Sequence, residues 1–200
     1  MRWIFVIAAI ALILLPGEQV GAIQDTATPT GIECPVQPLA SANLKEIVAA
    51  GSDPAPALDP TGDHPPATAL LAIFDVLSNS LACTNANQPL SALALFTDRY
   101  LAERFAGPDG ADELGHLLAA ATRTPGPAEP EDRLVLIAVS DLVMYANGRI
   151  GAEVTVANVD DTFTDLIVFV ETDDGWRIDQ VVLGADDSTV GTPTARSQEP

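Results

Sequence analysis

Basic residues are scarce in this chain. Lysine and arginine together number 9, with Lys45 the single lysine, against 28 acidic residues, for a formal net charge of −19. A surface of that sign repels phosphates and anionic headgroups, which excludes DNA or RNA as a partner class. The acidic residues stand in ones and twos rather than in blocks, the pattern of a solubilising surface; attraction of cations or of a basic partner is the alternative. Cysteine and histidine are equally sparse, two of each. Neither cysteine has a histidine or a second cysteine near it, so a zinc site or a thiol nucleophile is not expected. Asp59, Asp63, Asp160, Asp161 and Asp165 lack EF-hand spacing, so no metal is expected either. There is no phosphate-binding glycine loop and no internal repeat, and no cofactor is implied.

What is present is apolar material. The hydrophobic share is 48% and the charged share 18%, enough for the core of one domain with attached segments. The chain opens MRWIFVIAAIALILLPGEQVGA. Arg2 gives a positive start, Trp3 to Leu15 is an unbroken apolar run, and Val20-Gly21-Ala22 offers small residues for cleavage. The run falls short of the ~20 residues that span a bilayer as a helix. Residues 1–22 therefore read as a signal peptide, with Ile23 first in the mature chain and a secreted or extracytoplasmic location. The alternative is an uncleaved segment that anchors the protein to the membrane. In an oxidising compartment, Cys34 and Cys83 are most simply a disulfide. It would tie a proline-rich arm, residues 23–66, to the folded domain, and on a chain-entropy argument would contribute roughly 4 kcal/mol.

Along the arm, Ser41 is placed to cap a short helix over 42–50 that stops at Gly51. Leu70, Phe74, Leu77 and Leu81 recur at helical spacing and predict a helix over 67–84. A second helix is expected over 90–105 and a third over 111–121, with the GPDG stretch between them as a stop. The period then changes. Residues 133–145 predict a first strand interrupted at Ser140-Asp141. Asn147-Gly148 predicts a type I′ hairpin turn, and Ile150, Ala152, Val154 and Val156 alternate as a second strand. A third strand is expected over 165–172. After a turn at Asp174-Gly175, a fourth runs over 176–183. Residues 67–185 make the domain, and 186–200 read as a flexible tail.

Three helices followed by an antiparallel meander define an α+β fold. The order of elements, the "CTNANQPLSALALFTDRYL" helix pair from Cys83 to Leu101 and the ending "TDLIVFVETDDGWRIDQVVLG" resemble the NTF2-like superfamily, which includes SnoaL-like cyclases and ketosteroid isomerases. The "ECPV" arm and leading signal resemble secreted bacterial members of uncharacterised function. The resemblance covers about Ala67 to Gly184. It implies a cone: three helices packed on a curved four-stranded antiparallel sheet, with a mouth at one end, Arg177 and Asp179 of the last strand solvated on the other face, and a possible homodimer through the sheet.

Enzymes of that superfamily place an acidic residue or histidine inside the cone, where apolar walls raise its pKa. The corresponding catalytic candidates here are Asp141, Tyr100 and His116, with Asp165 and Glu171 as further carboxylates. Asp141 interrupts an oily strand, which fits a pocket carboxylate or, preferably, an exposed residue at a β-bulge. His64 sits among prolines and reads as an exposed loop residue. Phe74, Tyr100, Tyr145 and Trp176 are the aromatic residues expected to line a ligand pocket. The reading is of an exported, non-enzymatic domain that binds a small apolar ligand or a protein partner. The alternatives are an isomerase, cyclase or hydrolase using Asp141 or His116 as base and Tyr100 as donor, and a surface-anchored interaction module.

Overall fold

A computed structural model of the chain describes residues 33–184. The signal-peptide reading of 1–22 and the tail reading of 186–200 lie outside the described residues.

Four strands follow one another as β1 (Val135–Met144), β2 (Ile150–Ala157), β3 (Thr162–Thr172) and β4 (Gly175–Leu183). They form one sheet in the order β1-β2-β3-β4, antiparallel throughout. The α+β class is therefore the observed one, with a curved sheet and, among the described residues, five α-helices. The curvature has identifiable sources: the β1–β2 register slips after Leu136 and after Ser140, and the β3–β4 register slips at Val168/Phe169. An extra residue on one strand bends it and raises its twist.

The first connection departs from the expected type I′ turn. That turn needs positive φ at both central residues, yet Asn147 is not among the positive-φ residues and only Gly148, at 77°, is. Gly148 N–H donates to Tyr145 O, and Tyr145 N–H donates to Arg149 O. This is a turn closed by a left-handed glycine. Asn147 Oδ1 accepts from Arg149 N–H and so steadies the exit rather than entering the left-handed region itself. Strand β3 also starts earlier than expected. The loop before it needs only Asn158 to Asp161, because Asn158 Oδ1 accepts from the backbone N–H of both Asp160 and Asp161.

Helix α1 (Ser41–Ala50) belongs to the arm. Its N-cap is Ala40 and no side chain caps it, so Ser41 lies inside the first turn instead of capping it. Helix α2 (Ala67–Asn85) presents Ala69, Ile73, Val76 and Leu77 to Ile150, Ala152, Val154, Phe169 and Ile178 of the sheet, and this is the main core. By length and composition α2 would pass for a membrane span. Its role is instead that of a core helix, since one face is buried on the sheet.

The expected second helix is two. Helix α3 (Pro89–Leu93) ends, and α4 (Asp98–Arg104) starts, around a stretch drawn onto the edge of β4. Ile178 N–H donates to Leu95 O and Thr97 N–H donates to Ile178 O. Thr97 then caps α4, its side chain accepting from Tyr100 N–H. The GPDG stretch starts a helix rather than stopping one. Gly107 has φ of 74° and Pro108 occupies the first turn of α5 (Gly107–Ala120), where its missing N–H costs nothing. Leu44, Leu101 and Phe105 form a second buried cluster that joins α1 to α4 and α5.

A disulfide joins Cys34 to Cys83. It fastens the arm to α2 and fits an oxidising compartment.

Candidate functional site

The space between α2 and the sheet is where a cone pocket would lie, and side chains fill it. Ile73, Ile150, Ala152 and Phe169 are fully buried there. Trp176 packs against this cluster from β4. Tyr145 is buried elsewhere, lying across Gly151 so closely that a Cβ there would meet its ring at 2.8 Å. Phe74 is 44% exposed on the outer side of α2, beside the still more exposed Leu71. Tyr100 stacks on Phe96 with ring centroids 5.1 Å apart and packs against the second cluster. Burial raises its pKa above the ordinary tyrosine value.

The catalytic candidates sit on separate elements. Asp141 is exposed at the second β1 slip, with φ of 47°. His116 is exposed on α5, and His64 is exposed in the arm. No hydrogen bond joins Asp141, Tyr100 and His116 among the described residues. Glu171 is exposed; Asp165 is half-buried and its Oδ1 accepts from Gly184 N–H. No group of three or more metal-binding side chains occurs among the described residues.

Asp179 corrects the expectation of a solvated β4 face. It is the extra residue in the β3–β4 register and is only 6% exposed. The bulge turns its carboxylate toward α4 and the first hairpin. Oδ1 accepts from Thr97 Oγ1 at 2.9 Å and from Arg99 Nε at 3.1 Å, and Oδ2 accepts from Arg149 at 3.2 Å. Arg149, 2% exposed, also donates to Pro56 O at 2.7 Å and Ala57 O at 2.9 Å. Arg177 is half-buried and donates to Ala94 O. A buried carboxylate with three donors is a structural knot, since each charge is matched inside the fold.

The open space lies among the helices instead. A cleft of about 620 Å³ is bounded by the C-terminal half of α2, the α2–α3 turn, α3 and the end of α5, and the 121–127 loop closes it. Leu93, Phe96, Leu117 and Ala120 give it apolar walls; Thr84, Asn87, Gln88 and Arg123 give it polar ones. A smaller hollow of about 250 Å³ adjoins it, shares Asn87, Gln88, Pro89 and Arg123, and reaches Pro38 of the arm. Among the described residues, none of the four strands lines either space.

Asparagines hold this cleft in shape. Asn85 is buried, and its side chain both donates to Leu134 O and accepts from Leu134 N–H, at 2.8 Å each. Its backbone oxygen takes Ala128 N–H at 2.7 Å. Asn87, at φ of 53°, donates from its side chain to Gly126 O. The proline-rich loop is thus pinned to the end of α2 on both sides of Pro127. By sequence alone Asn85 to Gln88 reads as a turn, and the TRTPGPAEPE stretch after the last helix as a proline-rich connection. Three amide side chains in four residues, facing a proline-rich loop with one arginine, was the available signal.

No family model matches the chain, and no curated protein or solved structure gives a significant match.

Proposed function

We propose that this chain is an exported, NTF2-like binding module, and that its ligand is a small, largely apolar molecule seated between α2, α3 and α5. The observation that carries the reading is the helical cleft. Its volume falls in the range of about 300–1,000 Å³ usual for small-molecule sites, with apolar walls and a few convergent polar groups. The NTF2-like part of the reading is supported by the order of elements: a core helix, further helices, then a four-stranded meander against which the core helix packs. Export is supported by the disulfide. The enzymatic alternative needs a base and a donor in one pocket, and Asp141, Tyr100 and His116 lie on different elements. The protein-partner alternative draws on Leu71 and Phe74, exposed side by side on α2.

Native mass spectrometry of the protein secreted by its source organism tests this. We expect a species heavier than the polypeptide by the mass of one small molecule, with a mature start near Ile23. The Ala92→Trp variant, which places an indole in the cleft, should lose that added mass. A single ligand-free species, together with no uptake of an apolar fluorescent probe by the intact protein, would overturn the reading.

A further inference from the structure

The polar lining of the cleft is selective in a way the rest of the chain is not. Acidic residues outnumber basic ones 28 to 9, yet among the described residues no aspartate or glutamate lines either hollow. Among the described residues the one charged side chain that lines them is Arg123, and it lines both, so it stands where they join. Arg123 forms no ion pair among the described residues, whereas Arg99, Arg104, Arg149 and Arg177 each have an acidic partner and Arg133, also without one, donates to Ala128 O. The end of α5 does not occupy it either. The carbonyls of Leu117, Ala119 and Ala120 are taken by the backbone N–H groups of residues 121 to 123, with Thr122 Oγ1 also donating to Ala119 O. The amides of Asn87 and Gln88 line the same two hollows; the Gln88 amide nitrogen, and the Asn87 N–H not given to Gly126 O, are neutral donors that an oxyanion can use.

We infer that the cleft takes a single-chain amphiphile bearing one negative charge. Its head lies at Arg123 and its chain runs along Leu93, Phe96 and Leu117. The inference rests on the binding reading above and adds the ligand's charge to it. An arginine donates to a carboxylate through two parallel N–H groups, a stronger contact than a neutral hydrogen bond. A neutral ligand would give no reason for the lining to be free of acids in so acidic a chain, and a cationic one would favour acids there.

Three probes of equal chain length separate the possibilities: dodecanoate, dodecanol and dodecyltrimethylammonium, each titrated into the intact protein below its micelle concentration by calorimetry. Dodecanoate should bind about tenfold more tightly than dodecanol, which corresponds to ~1.4 kcal/mol, and the ammonium should bind most weakly. In Arg123→Gln the preference for dodecanoate should vanish while dodecanol binds as before; Arg123→Lys should keep part of it. Arg123 is exposed, so neither variant threatens the fold. Equal affinity for dodecanoate and dodecanol would overturn the inference and leave the cleft as an apolar site. No binding of any probe would overturn the binding reading itself. Sedimentation with phosphatidylglycerol vesicles without uptake of free dodecanoate would overturn the inference in favour of a membrane surface.

Discussion

Arg149 and Arg123 are two arginines of one acidic chain placed in opposite settings. Arg149 is sealed between the first hairpin, the arm and β4, and its donors go to Asp179, Pro56 and Ala57. It binds parts of the chain to one another. Arg123 stands exposed at a hollow with no acidic partner among the described residues. The two side chains have the same chemistry, and what separates them is whether the fold supplies acceptors. Behind the sheet it supplies three, and the region is solid. Among the helices no described residue forms an ion pair with Arg123, and the region is open. Arg123, being exposed, is left to water or to a ligand.

The sharpest way to break this contrast is Asp179→Ala. It leaves Arg149 buried beside its carbonyls without a counter-charge, which typically costs about 3–5 kcal/mol. Urea denaturation should show a loss of that size, while the folded fraction binds a cleft ligand as before, because Asp179 lines neither hollow. A loss under about 1 kcal/mol would place Arg149 in contact with water and erase the difference between the two arginines.

The disulfide sharpens the comparison from the other end of the arm. Arg149 holds the arm at Pro56 and Ala57, and Cys34 holds it at α2, across a sequence separation of 49. Replacing both cysteines by serine should cost roughly 2–4 kcal/mol, measured against the parent with and without reductant. Because Pro38 lines the smaller hollow, the same variant should bind cleft ligands more weakly, an effect that Asp179→Ala should lack.

Asn85→Ala is the next step down. It removes both bonds to Leu134 and leaves a partly buried N–H and C=O unpaired, at a cost of about 1–3 kcal/mol. Amide hydrogen exchange should quicken at Leu134 and stay unchanged at Ile178. Quickening at both sites would mean that the cleft side and the sheet side open as one unit.

How far the residues alone reveal this fold follows the range of the forces involved. The meander was legible because alternation in β2 and two glycine turns are local signals, and so was the α2 stripe. The disulfide was legible because two cysteines have one pairing. The break between α3 and α4 was not, since Leu95 and Thr97 answer to Ile178, about eighty positions away. A local sign did exist, for Thr97 followed by Asp98 is a helix start. The burial of Asp179 was hidden for the same reason: its donors are Thr97, Arg99 and Arg149, which local periodicity cannot place beside it. The cleft was legible only as composition, in the amides of the α2–α3 turn, because a hollow is the space left after distant elements have packed.

Asp141 offers the smallest expected effect and tests the contrast at a single carboxylate. Like Asp179 it stands where a strand pairing slips, but its side chain is exposed and its φ is 47°. In that left-handed region a β-branched residue is strained, so Asp141→Val should cost about 1–2 kcal/mol. Asp141→Gly should fall within about 0.5 kcal/mol of the parent, relief of strain being offset by the entropy glycine loses on folding. Asp141→Asn should match the parent in stability and in ligand binding, since asparagine tolerates the same conformation. Loss of binding in Asp141→Asn with unchanged stability would give this carboxylate a functional role, and the contrast between a knotted and an open region would then need a third site.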